Sequence, residues 1–296
     1  MSGNTRPDQC VRRSWLCGIA RSTKRDYEHR RKWLEERLLH LAHYFAVAVD
    51  AYAIMSNHFH LVVYFDPRES YRWSDGEVAD RWLSAFLPDD NSSSENDRQK
   101  TLMLHRELLL QSRERLKHAR QTLGSLSMFM KYLKQPIAYR ANKEDRCTGH
   151  FFEGRFYSGA LLDENAIVAA MAYVDLNPVR ARIAQHIEDY RAASGYRRAQ
   201  LAKNTPKRLK EAIQPLVSGL TDERPDFSIT LEQFFQILKP CELEYITPAP
   251  NEKKSRWFTR ISSLRKRQRA FGAAAELDNW KMIRGWSHPG TPLPAA

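Results

Sequence analysis

Cysteine is scarce: Cys10, Cys17, Cys147 and Cys241 are the only four in 296 residues. Their spacing lacks the density of a disulfide framework. Cys147 and His150 have the separation of half a zinc site, but no second close pair completes it, so ordinary reduced thiols are expected. Long apolar runs are missing too. No stretch approaches the roughly 18 uninterrupted apolar residues of a membrane-spanning helix. The first residues, MSGNTRPDQCVRRSW, contain no apolar segment of the signal-peptide kind. The expectation is a chain with no membrane partner, cytoplasmic by default. There is no internal repeat, which excludes a solenoid.

Apolar residues make up 42% of the chain, enough for a globular rather than a disordered protein, and the length allows one large domain or two smaller ones. Forty-seven Lys and Arg against thirty-five Asp and Glu leave a net charge of +12, which points to a polyanionic partner. The cations are clustered. Arg12, Arg13, Arg21, Lys24, Arg25, Arg30, Arg31 and Lys32 crowd the beginning, and Lys253, Lys254, Arg256, Arg260, Arg265, Lys266, Arg267 and Arg269 lie near the end. The second run holds Trp257 and Phe258, a mixture of cation and π-surface suited to nucleic acid. A solvated amphipathic helix explains it equally well.

Hydrophobic spacing divides the chain into elements. Residues 10–16 have strand character. Trp33, Leu34, Leu38, Leu41 and Phe45 recur at three- and four-residue steps and predict a helix within 24–45. AVAVDAYAIM (46–55) and HFHLVVYF (58–65) read as two strands around Ser56-Asn57, a hairpin. Residues 91–97 are a polar loop and 99–120 a long amphipathic helix. A further helix over 125–141 should be kinked or divided by Pro136. Residues 149–161 return to strand character, and Asp163 opens a helix that Asn177-Pro178 should stop. The order is that of an α+β, ferredoxin-like fold, one antiparallel sheet with helices on one face. After about residue 195 the composition changes. The expected division is a domain over 1–195 with a helical insertion at about 70–120, and a basic helical C-terminal extension over 196–296.

Two pairs of residues carry the chemistry. His58 and His60, at i and i+2 on a strand, point from one face and can share a metal ion, unless they are two surface histidines on a half-exposed strand. Tyr173 and Asn177 are four apart at a helix end, hence on one face. The amide offers a metal an oxygen, and the phenol offers phosphorus a nucleophile. Taken alone, a Tyr in MAYVDLNP is as readily a core aromatic and Asn-Pro an ordinary helix stop.

YAIMSNHFHLVV resembles the His-hydrophobic-His (HUH) motif of single-tyrosine transposases. GHFFEGRF followed by AYVDLNPVRA resembles the second signature of that family, especially of REP-associated tyrosine transposases. The similarity runs from about Cys10 to Arg182. The resemblance implies an HUH nuclease core in which His58, His60 and Asn177 hold a divalent ion, Mg²⁺ or Mn²⁺. It assigns the nucleophile to Tyr173; Tyr132, which lacks the Asn at i+4, is the runner-up. The implied reaction is cleavage and strand transfer of single-stranded DNA through a 5′-phosphotyrosine, beside a recognised DNA hairpin. The chain departs from the family's compact members in the insertion and the long extension.

A free phenol has a pKa near 10, so Tyr173 requires activation by the metal site or by a nearby cation. Arg155, on the strand before the helix, can bind phosphate or pair with Glu153. Arg12, Arg13, Arg265 and Arg267 are the other expected DNA contacts. A homodimer is compatible with this reading. The competing reading is a DNA-binding regulator that keeps the scaffold without the chemistry. RNA binding stands third, because the aromatic signature of an RRM is not evident.

Overall fold

The periodicity of Leu34, Leu38 and Leu41 forms helix α1 (Glu28–Ala42), which buries all three. The computed structural model describes residues 16–19, 24–87, 94–152, 156–221, 227–248, 253–266, 268–285 and 290–294. After α1 come strands β1 (Val47–Ile54) and β2 (Phe59–Phe65) and helices α2 (Glu69–Arg72), α3 (Asp75–Phe86), α4 (Glu95–Leu110), α5 (Arg113–Leu123) and α6 (Leu126–Glu144). Strand β3 (Ala160–Leu161) leads into α7 (Glu164–Asp175), α8 (Asn177–Arg180) and α9 (Ser194–Asn204). The chain continues through β4 (Val217–Ser218), α10 (Leu231–Ile246), α11 (Arg256–Ser263), β5 (Ala270–Phe271) and α12 (Ala274–Arg284).

The hairpin is where the two strand-like segments place it. β1 and β2 pair antiparallel, with Tyr52 opposite Leu61 and Ala53 opposite His60. Cross-strand partners share a face, so Tyr52 and His60 point to opposite sides. The Tyr52 hydroxyl bonds Glu35 of α1, whereas the His60 ring lies 5.5 Å from that of Tyr173 on α7. Helices therefore cover both faces.

The α+β class holds, and its details differ from the ferredoxin-like expectation. The sheet has three strands in the order β2-β1-β4, with helices on two faces rather than one. Among the described residues of the expected strand over 149–161, Ala160–Leu161 form a regular strand, which pairs in parallel with β5 in a separate two-stranded sheet. Nearly all of the first expected strand, over 10–16, lies outside the described residues.

Two helix expectations are also corrected. The segment 99–120 is two helices, because the Ser112 hydroxyl accepts from the Arg115 N–H at 3.4 Å and starts α5 afresh. Conversely, α6 runs through Pro136 without a break. Proline removes the N–H that would bond the Tyr132 carbonyl, and the Arg37 Nε bonds that carbonyl instead at 3.3 Å.

Residues beyond 195 enter the same core. The boundary expected at 195 falls within α9. The outer edge of β1 is satisfied group by group from this side: Leu216 N–H bonds Val49 O at 2.8 Å, Gly219 N–H bonds Val47 O at 3.0 Å, and Ile54 N–H bonds Ala192 O at 3.0 Å. A Cβ on Gly219 would collide with the Phe45 carbonyl, so the close approach needs glycine. Leu231, Phe234, Leu238, Phe258 and Ile261 are buried with the hairpin and α7 in one cluster.

Helix α7 is apolar around its circumference and buries nine of its twelve residues, as a core helix does. Its last residue, Asp175, is 1% exposed. Arg198 of α9 donates to its Oδ2 at 2.9 Å and also to the Asp50 carbonyl of β1. Ser194 bonds the other Asp175 oxygen and accepts from Tyr52 N–H at 3.0 Å. Burial pushes the Asp175 carboxyl up, and Arg198 opposes that shift. Arg198→Leu should therefore cost about 3–5 kcal/mol, because it leaves a buried charge uncompensated. Urea unfolding measures it. A loss below about 1 kcal/mol would mean the pair does not hold α7 in place.

Candidate active site

The four residues expected at the site converge. Met55 N–H bonds the His58 carbonyl at 2.8 Å and closes the hairpin turn. His58 precedes β2 rather than lying in it, and its ring centroid is 5.0 Å from that of His60, at 90°. Across the sheet face, Tyr173 meets His60 from α7. The helix ends at Asp175, but Arg180 N–H still bonds Leu176 O at 2.9 Å. The helical progression thus continues into α8 and keeps Tyr173, Asn177 and Arg180 on one side. The Asn-Pro pair offsets the helix without ending it, since Pro178 needs no N–H at the first turn.

His58 and His60 differ in setting. His60 is 2% exposed, not the half-exposed strand position its alternation suggests, while His58 is half-buried and bonded to Asn57 Oδ1 at 2.7 Å. Desolvation, reinforced by the Arg180 charge, pushes the His58 imidazole down from 6.5 to about 4. It is therefore neutral, as a metal ligand must be, at any ordinary pH.

Arg180 belongs to neither pair read from the sequence, although its i+3 and i+7 spacing from Asn177 and Tyr173 marks it. Its Nη2 donates to Asn177 Oδ1 at 2.9 Å and lies 3.4 Å from the Tyr173 hydroxyl. Its Cζ is 5.3 Å from the Tyr173 ring centroid, a cation–π contact. Tyr245 of α10 is a second residue the sequence did not disclose. Burial raises its phenol, and a hydrogen bond with Ser262 of α11 and the Arg180 charge oppose that shift. Helices α10 and α11 thus form a wall of the site, and Tyr173 is 7% exposed.

Among the described residues no three His, Cys, Asp or Glu side chains assemble into a metal cluster, so the donor set is two imidazoles and an amide. The two imidazoles are close enough to share one divalent ion. Rings bound at about 2.1 Å place their centroids about 3 Å from the ion, hence within about 6 Å of each other. The observed 5.0 Å satisfies that. Asn177 is 1% exposed, its Nδ2 has no hydrogen-bond partner, and its Oδ1 keeps a second lone pair beside the one Arg180 uses.

Other expected residues fall elsewhere. Arg12, Arg13, Arg155 and Arg267 lie outside the described residues. Arg265 is exposed just after α11. Tyr132, the runner-up nucleophile, packs its ring 4.4 Å from Phe86 and 6.5 Å from Phe45, away from the histidines. Cys147 is a free thiol.

Parts of the basic clusters are structural. Arg30 is fully buried and paired with Glu144 at 2.8 Å and Asp145 at 2.6 Å, and Arg31 donates to Ile54 O at 2.8 Å. Arg260 is 5% exposed and bonds Pro294 O at 2.7 Å. Phe258 packs on Tyr245 rather than presenting a face to solvent. Lys253, Lys254, Arg256, Arg265, Lys266 and Arg269 remain exposed. No helix among the described residues is long and apolar enough to cross a membrane. No family model matches the chain, and neither a curated protein nor a solved structure matches it.

The His58 environment carries a pH signature in metal-free protein. The unfolded imidazole binds a proton near 6.5, whereas the folded one does so only near 4. The unfolded state thus holds more protons between these values, and stability rises with pH across that window. With chelator present, His58→Gln should remove this increment, so the wild-type advantage grows from pH 4 to 6.5. A ring titration by NMR that finds His58 protonating near 6.5 would refute the desolvated setting.

Proposed function

We propose that the chain is a metal-dependent single-tyrosine nuclease and strand transferase acting on single-stranded DNA beside a hairpin, of the HUH transposase type. The observation that carries this reading is the meeting of His60 and Tyr173, whose rings are 5.5 Å apart although they belong to separate motifs. His58 and Asn177 stand on the same two elements, the hairpin and the α7–α8 continuation. The grouping of these four residues supports the HUH reading.

In this reading Tyr173 Oη bonds to phosphorus and the P–O3′ bond breaks. The phenolic proton passes to solvent, the 3′ oxygen takes up a proton, and a 5′-phosphotyrosine remains. The ester conserves the phosphodiester's energy for joining a second 3′-OH. A divalent ion held by His58, His60 and Asn177 would supply polarisation of the phosphate oxygen. The protein's own part is to hold the phenol, 7% exposed, beside a cation. The low exposure of Tyr173 favours the alternative, a catalytically silent DNA-binding regulator, unless α10 and α11 admit the strand.

The exposed C-terminal cations supply the electrostatic component. Replacing Lys253, Lys254, Arg256, Arg265 and Lys266 by Gln should weaken oligonucleotide binding. It should also flatten the dependence of log K on log salt by about 0.7 for each phosphate of the single strand that is no longer neutralised. An unchanged slope returns these residues to a solvated surface.

The nucleophile is tested with a pool of hairpin oligonucleotides bearing randomised single-stranded flanks, in Mg²⁺ or Mn²⁺. Wild-type protein should yield a covalent adduct on denaturing gels whose peptide maps to Tyr173. Tyr173→Phe should bind the pool yet yield none, since the ring and its packing are kept. An adduct on the Phe variant removes Tyr173 as nucleophile, and tight wild-type binding with no adduct in either metal supports the regulator.

A further inference from the structure

Among the described residues Arg180 is a half-buried arginine without a counter-ion, a condition it shares with the buried Arg260, which bonds a backbone carbonyl, whereas several other enclosed arginines are paired. Arg30 meets Glu144 and Asp145, Arg198 meets Asp175, and Arg31 meets Glu28 at 2.7 Å. The hydrogen bonds of Arg180 go to the neutral Asn177 amide and Tyr173 hydroxyl, and its Nε is buried with no partner. A guanidinium carries five donors in a rigid fork suited to phosphate. Here one nitrogen is committed and the charge is uncompensated, so the group is preorganised for an anion that the protein does not itself provide.

We infer that Arg180 is the phosphate-binding residue of this pocket and holds a non-bridging oxygen of a single-strand phosphodiester against the Tyr173 hydroxyl. This rests on the nuclease reading for its catalytic consequence but not for the binding itself. Geometry restricts the alternatives. The Asn177 contact fixes the guanidinium from one side and the Tyr173 ring flanks it at 5.3 Å, so the charge cannot swing into solvent as a surface arginine does. A phosphate that meets the fork is placed beside the phenolic oxygen, which lies 3.4 Å from Nη2. During attack the non-bridging oxygens gain negative charge, and a fixed cation at that position stabilises the transition state more than the bound strand. Arg180 neither gives nor takes the proton.

A purely structural clamp on Asn177 would predict the same contacts, so the test must read phosphate recognition. The first arm measures binding of oligothymidylate d(T)8 to the full chain across salt concentrations. Arg180→Gln should lower the salt slope by about 0.7, the value of one single-strand phosphate contact, and Arg180→Lys should restore it. An unchanged slope in the Gln variant overturns the inference. If Arg180→Gln does not melt cooperatively near the wild-type temperature, Arg180→Ala serves in its place, with Arg180→Lys still expected to keep the slope.

The second arm uses the adduct-forming hairpin substrate with a methylphosphonate at the scissile linkage, which removes one charged oxygen. Arg180→Gln should slow adduct formation about 100-fold on the natural linkage, the scale of losing a transition-state donor. It should add less than threefold to the slowing caused by the methylphosphonate, because both remove one interaction. Fully multiplicative losses overturn the assignment. A slope change in d(T)8 binding with no wild-type adduct on any substrate would keep Arg180 as a phosphate site and discard the nuclease reading.

Discussion

The Asp175 carboxylate, buried at the end of α7 between Arg198 and Ser194, ties three elements together. Arg198 reaches on to the Asp50 carbonyl and Ser194 to the Tyr52 backbone, so the helix end, the central strand and α9 share one hydrogen-bonded junction. Tyr173 lies two residues before that carboxylate and Asn177 two after it. Their position over the histidines is set by a charge that water cannot reach. Burying such a pair gains little net stability over apolar packing. What it confers is register: a one-residue slip of α7 would strand the carboxylate in an apolar interior.

The arginines divide by environment. Net charge alone suggests a uniform polyanion-binding surface, yet Arg30, Arg31, Arg198 and Arg260 lie inside and bond carboxylates or backbone carbonyls. Arg37 serves a carbonyl that proline has freed. On the proposed reading, attraction for a nucleic acid strand would rest, among the described residues, on the exposed C-terminal cations and on Arg180. A count of basic residues does not separate these roles, because a guanidinium fits a buried carbonyl as well as a phosphate.

The elements whose signal is local were legible in the sequence. The leucines of α1, the strand-like composition of β1 and β2 and the Asp163 start of α7 each depend on near neighbours, and the structure has them. The His58–His60 and Tyr173–Asn177 pairs were likewise readable as faces. What was not readable depends on distant partners. Strands β3, β4 and β5 are two residues each, too short for any period to show, and exist because β1 and one another offer free edges. Pro136 sits inside α6 because Arg37, nearly a hundred positions earlier, takes the orphaned carbonyl. The burial of His60 follows from α7 packing on β2, and the place of Tyr245 from α10 and α11 folding back onto α7 and α8. Arg180 had a local signal, its spacing from Asn177, that composition concealed among many arginines.

The outer edge of β1 has a consequence for how the chain is made. Leu216, Gly219 and Ala192 complete its backbone bonds, yet they are synthesised roughly 150 residues after the strand itself, a separation that slows closure. Until then the hairpin has one strand edge with no cover, and a two-stranded hairpin is marginal in water. The emerging N-terminal half is therefore a template for pairing between nascent chains on one messenger. A ribosome that stalls before Gly219 leaves a product that is adhesive rather than merely short.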